Sequence, residues 1–180
     1  IIPISATDFS QAIQIASEIF HCLRNRLNKL GLSTGVGDEG GFAPQLKSNE
    51  EAIEHVLSAV IESGYEHNKM VAIGLDVASS EFFDDGRYHL DSENRSMTNK
   101  ELCEFLVEWT KRYPIISLED GMAELDWDGW KRLSGKILDK VQLTGDDLFV
   151  TNSDILKEGV AKGIANSILI KPNQIGTLTE

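Results

Sequence analysis

One unit recurs through most of this chain: an unbroken apolar run too short for a helix, a charged residue at its end, a loop, then an amphipathic helix. The first run is Val71-Ala72-Ile73-Gly74-Leu75, ending at Asp76, and the second is Ile115-Ile116-Ser117-Leu118, ending at Glu119. The third, Val141-Gln142-Leu143-Thr144, ends at Gly145-Asp146-Asp147, and the fourth, Ser167-Ile168-Leu169-Ile170, ends at Lys171. Runs of this kind suit strands buried on both faces of a parallel sheet. Their alternation with helices predicts an α/β fold, as part of a TIM-like α/β barrel. A complete barrel takes about 250 residues, so 180 residues read as a partial one.

The helices carry their own punctuation. Thr98 and Glu101 read as a capping box before Leu102, Phe105, Leu106 and Trp109. Trp127, Trp130, Leu133 and Ile137 mark the next helical face, and Asn152 or Ser153 caps a helix with Ile155, Leu156 and Val160. The first interval between charged strand ends is the longest, and Asp84-Asp85-Gly86 between Phe82-Phe83 and Arg87-Tyr88-His89-Leu90 predicts an inserted hairpin there. Upstream, apolar residues from Phe9 to Leu30 recur on one helical face until Gly31. A glycine-rich stretch, Gly35 to Pro44, then leads to Ser48 and Glu51, a second capping box. The opening Ile1-Ile2-Pro3-Ile4 reads as the end of a strand, and no segment resembles a signal peptide or a membrane span. With no flexible linker or low-complexity segment, residues 1–180 read as one domain.

Charge narrows the partners. The formal charge of −12 opposes binding to a phosphate backbone, so no direct nucleic-acid contact is expected. Cys22 and Cys103 sit among apolar residues in helical segments and read as buried free thiols, which fits a reducing cytosol.

In a parallel barrel the strand C-termini share one rim, where sites are built. Asp76, Glu119, Asp146 and Lys171 all fall there. Converging carboxylates raise one another's pKa unless a cation neutralises them. All-oxygen ligation favours magnesium, calcium or manganese over zinc, and magnesium fits a phosphorylated substrate. A single strand-end acid is more often a solvated loop residue; the set shifts that balance. Asp120 and Asp147 read as hydrogen-bonding partners of the ligands or as solvated acids. Lys171 reads either as a snorkelling surface lysine or as a base. The glycines around Asp38-Glu39 either form a plain turn or point a carboxylate into a cleft. His21, His55, His67 and His89 lie away from the rim and read as surface or structural residues, and the tryptophans read as packing.

Five segments resemble the signature stretches of the enolase family: Gly37-Asp38-Glu39-Gly40-Gly41, Gly74 to Phe82, Ser117-Leu118-Glu119-Asp120, Gly145-Asp146-Asp147-Leu148, and Leu169 to Thr177. They stand in the family's order and span almost the whole chain. The resemblance implies an enolase-type partial barrel from the C-terminal domain of a magnesium-dependent lyase, with an N-terminal α+β domain and the last barrel strands outside these residues. It implies reversible dehydration of 2-phosphoglycerate to phosphoenolpyruvate in glycolysis and gluconeogenesis. Lys171 would be the base and Glu39 the acid assisting hydroxide departure. Asp76, Glu119 and Asp146 would bind Mg2+, and Glu119, Asp146 and Lys171 would also touch substrate. It further implies a homodimer or higher homo-oligomer, a cytoplasmic location with a cell-surface or secreted fraction, and an inactive isolated chain. The alternative is a non-catalytic surface or scaffold protein derived from the same family.

Overall fold

The computed structural model describes residues 1–177 and Thr179. They fall into two compact units, Ile1–Ala72 and Ile73–Glu180.

The first unit is built on two helices. Helix α1 (Phe9–Lys29) starts where the Asp8 carboxylate accepts the Gln11 N–H at 2.8 Å, and it stops before Gly31, whose φ of +70° leaves the helical region. Helix α2 (Asn49–Glu62) starts at Ser48, whose hydroxyl accepts the Glu51 N–H at 3.1 Å. The reciprocal half of the expected capping box is shifted: the Glu51 carboxylate accepts from Lys47 N at 2.7 Å, one residue earlier than the motif places it. Ile15 and Ile19 of α1 pack with Ala59 and Val60 of α2 and with Val71. Fully burying an aliphatic side chain of this size contributes about 1.5–3 kcal/mol. The strand expected at the opening is reduced to one antiparallel bridge between Ile2 and Ala72, closed by reciprocal hydrogen bonds of 2.8 and 2.9 Å.

The second unit holds the repeated theme. Strand β1 (Ile73–Asp76) is followed by an inserted antiparallel sheet, β2 (Phe83–Asp84), β3 (Arg87–Leu90) and β4 (Arg95–Met97). Asp85 and Gly86 turn β2 into β3 with φ of +47° and +72°, the paired positive values a two-residue hairpin turn requires. The hairpin was legible; β4 was not, because Arg95-Ser96-Met97 is short and carries no apolar alternation. Then come α3 (Asn99–Arg112), β5 (Ile115–Glu119), α4 (Trp127–Ile137), β6 (Gln142–Gly145), α5 (Ser153–Lys162), β7 (Ser167–Ile168) and α6 (Pro172–Ile175). The Thr98–Glu101 capping box forms in full, and Asn152 caps α5.

Strands β1, β5, β6 and β7 pair in that order, all parallel, with helices between them. The sheet does not close on itself among the described residues, as a partial α/β barrel requires. Strand β7 is shorter than its apolar run, although Leu169 N still donates to Gly145 O at 3.1 Å. Leu118 and Leu143 from the sheet and Leu102, Leu106, Trp130 and Leu133 from α3 and α4 are fully buried. Trp130 and Trp109 are packing residues, as their spacing suggested. Cys103 is buried and Cys22 half-buried, both as free thiols, and burial pushes the Cys103 thiol up. Among the described residues no helix is long and apolar enough to cross a membrane.

Candidate metal centre

The parallel register sets the geometry. Asp76 is paired directly with Glu119 at the ends of β1 and β5, Glu119 with Thr144 of β6, and Gly145 with Ile168 of β7. All four strand ends therefore lie on one rim, and the residues that follow β6 and β7 are Asp146 and Lys171 or their near neighbours. Parallel pairing alone would scatter loop residues; short, well-bonded turns hold them here.

The turn after β1 is held by the Asp76 carboxylate, which accepts from Ala78 N at 3.0 Å, and by Val77 N donating to Glu119 O at 2.9 Å. The turn after β6 is held by Asp120. Its two carboxylate oxygens accept from Asp146 N at 3.0 Å and Asp147 N at 2.9 Å. Lys171 is held by its own N–H, which donates to Thr151 Oγ1 at 2.9 Å, and its ammonium pairs with the Asp146 carboxylate. Gln174, one turn into α6, donates from Nε2 to the other Asp146 oxygen at 3.1 Å and accepts from Thr151 Oγ1 at 2.6 Å.

The carboxylates form two overlapping clusters, Asp76 with Glu119 and Asp120, and Asp120 with Asp146 and Asp147, each with ligand atoms within 4.8 Å of one another. Asp120 and Asp146 are 3% and 5% exposed, so these are not ordinary surface acids. Burial raises the Glu119 carboxyl above its usual range, and the charges of Asp76, Asp146 and Asp120 push it further. Asp120 is also raised by burial, against which the N–H groups of Asp147 and Asp146 favour its charged form. Asp120 and Asp146 are desolvated, Glu119 and Asp147 half-buried and Asp76 exposed; acids that repel one another, with oxygen the only donor type in the two clusters, fit a hard divalent cation and not zinc.

Lys171 was read either as a snorkelling surface lysine or as a base; the Asp146 hydrogen bond, with the charges of Asp146, Asp147 and Glu119, holds its ammonium above the usual lysine range. The cause is the excess of negative charge on the rim.

Glu39 belongs to the first unit. Gly37-Asp38-Glu39-Gly40 is a tight turn closed by Gly40 N donating to Gly37 O at 2.9 Å, with Gly40 at φ +81°. Val36 and Phe42 bridge its base, Phe42 stacks on Phe20 of α1 at 4.4 Å, and Glu39 is exposed at the tip. The second unit thus puts Asp76 beside Glu119 and Asp120, and Asp146 beside Asp120, Asp147 and Lys171, with Asp120 and none of the three expected ligands common to both clusters. The part of Asp120 as anchor was only half visible from its place beside Glu119. Gln174 was missed; its position three residues after Lys171, on the first turn of a proline-started helix, was the available signal.

Residues 1–180 match the model of the family described as Enolase, C-terminal TIM barrel domain, so the match takes in the entire chain.

Proposed function

Because the chain belongs to the enolase family, matching its C-terminal TIM barrel domain, we propose that it carries the principal acid, base and metal ligands of a magnesium-dependent lyase that reversibly dehydrates 2-phosphoglycerate to phosphoenolpyruvate. The observation that carries this reading is the parallel register that puts Asp76, Glu119, Asp146 and Lys171 on one rim with Asp120 between them.

Asp76, Glu119 and Asp146 would hold the cation. A bound divalent cation would supply positive charge beside the substrate carboxylate, where loss of the neighbouring proton builds up negative charge. Lys171 Nζ takes the proton from C2. The electron pair of that C–H bond becomes the new C2–C3 double bond, and the C3–O bond breaks as Glu39 donates a proton to the departing hydroxide, giving water. Ligation of a cation by Asp146 would compete with its pairing to Lys171 and so would favour the neutral amine that acts as base. In the hydration direction the ammonium is the competent form, and the raised pKa of Lys171 favours it. Glu119, Asp146 and Lys171 are also proposed to contact substrate.

The isolated chain is proposed to be inactive, as the resemblance to the enolase family implies. The full-length protein is proposed to be a cytoplasmic homo-oligomer, with the cell surface as a second location. The intact ligand set favours this over a purely non-catalytic scaffold. In the full-length protein, Glu39→Gln and Lys171→Ala should each collapse turnover of 2-phosphoglycerate, and near-normal rates would refute these assignments.

A further inference from the structure

Asp120, the residue after β5, bonds toward the ends of both β1 and β6 and, unlike Glu119, uses its side chain as well as its backbone to do so. Toward β1, its carbonyl accepts from Ser79 Oγ at 2.7 Å and from Ser79 N at 3.2 Å, and Ser79 is fully buried. Toward β6, its N–H donates to Thr144 O at 3.0 Å, and its two carboxylate oxygens take the N–H groups of Asp146 and Asp147. Its own place is the residue after β5, at φ +42°, a left-handed conformation that non-glycine residues seldom adopt and that surrounding bonds must hold.

These contacts do different work from ligation. A carboxylate has about four lone-pair positions, and here at least one on each oxygen is spent on a backbone N–H, with Leu148 N–H adding to those of Asp146 and Asp147. A charge-assisted bond of this type is roughly twice as strong as a neutral one. The two N–H groups belong to Asp146 and its neighbour, so the direction of the Asp146 side chain depends on where the Asp120 carboxylate stands.

We propose that Asp120 is a positioning residue: by gripping Ser79 with its carbonyl and the N–H groups of Asp146 and Asp147 with its carboxylate, it holds the ends of β1, β5 and β6 so that Asp76, Glu119 and Asp146 meet. It acts through its neighbours and is not itself a metal ligand. The idea rests on the lyase reading for its kinetic consequence alone; its structural and metal-binding consequences are independent of any substrate.

The substitution that tests it is Asp120→Asn in the full-length protein. The amide keeps size and one acceptor oxygen but turns an NH2 toward a backbone N–H, so one grip is lost. In metal-free protein, amide hydrogen exchange at Asp146 and Asp147 should quicken at least about tenfold, while Leu118 and Leu143 keep their protection. Magnesium calorimetry should show the same stoichiometry with affinity weakened about 10–100-fold, the usual range for residues that orient ligands. Tyr88→Phe, which removes the two hydrogen bonds of the Tyr88 hydroxyl, to Asp126 and from Ala123 N, without touching Asp120, should lower thermal stability and leave magnesium affinity unchanged. Should Asp120→Asn not fold, Ser79→Ala removes the 2.7 Å bond on the other side and should weaken magnesium in the same direction by a smaller factor. Unchanged exchange at Asp146 and Asp147, unchanged magnesium affinity in a folded variant, or loss of a bound ion with exchange unaltered would each overturn the proposal; the last would make Asp120 a ligand. If the variants show these effects and the wild-type protein forms no phosphoenolpyruvate, the positioning role stands and the lyase reading falls.

Discussion

Replacing Tyr88 by Phe removes one oxygen atom and two hydrogen bonds, one buried and one half-buried. Tyr88 is 0% exposed; its hydroxyl donates to Asp126 Oδ2 at 2.8 Å and accepts from Ala123 N at 3.1 Å. The ring itself would stay, since its neighbours are Phe83 at 4.6 Å and Phe82 at 6.0 Å between centroids. The cost therefore comes from the polar groups left behind. A buried N–H without a partner costs about 1–3 kcal/mol, and a bond to a charged acceptor contributes about 1.5–3 kcal/mol. Asp126 keeps the Asn99 amide at 3.1 Å and Gly129 N at 2.9 Å, which places its share at the lower end. About 3 kcal/mol in total follows. For a protein of roughly 150–250 residues, each kcal/mol moves Tm by about 2–4 °C, so the fall should be roughly 6–12 °C. Urea and thermal unfolding of wild type and variant would measure it, and Asn99→Ala in a double-mutant cycle should couple with Tyr88→Phe through Asp126. A loss below about 1 kcal/mol would refute the claim that this hydroxyl ties the inserted sheet to the loop after β5.

Three further outcomes are expected. Glu119 has a folded pKa above its ordinary 4.5, so the stability it contributes is present below that value and lost as pH rises through the folded one; metal-free Glu119→Gln should gain on wild type in urea unfolding as pH rises, and a difference that shrinks would contradict the burial argument. Gly145→Ala would set a Cβ 2.7 Å from Phe149 Cδ2, and overpacking of that kind costs about 1–3 kcal/mol; an unchanged Tm would show that Phe149 moves freely. Asp76→Asn should blunt magnesium binding in calorimetric titration, and an unchanged affinity would count against ligation by Asp76.

Backbone periodicity and turn chemistry were readable from residues alone. Runs of β-branched and aliphatic residues marked β1, β5 and β6, Gly31 marked the end of α1, and Asp85-Gly86 marked the hairpin. The strand-end acids were readable because a parallel sheet places every strand C-terminus on one side. What local sequence does not carry is the bonding between loops. Nothing near Asp120 announces that its carboxylate reaches residues 146 and 147, or that Ser79 meets its carbonyl, since these contacts join positions far apart in the chain. The same holds for Lys171: its ammonium is held high by Asp146, a partner that only the β6–β7 pairing brings near. Glu119 was read as one of several repelling acids, and the structure adds burial as the larger cause of its raised pKa.

The proposed function requires that these strand-end carboxylates serve a metal-dependent dehydration. Full-length protein stripped of metal by a chelator, dialysed, and given 2-phosphoglycerate should form no phosphoenolpyruvate, and added magnesium should restore turnover. Turnover that persists after stripping, or no phosphoenolpyruvate at any magnesium concentration, would contradict it.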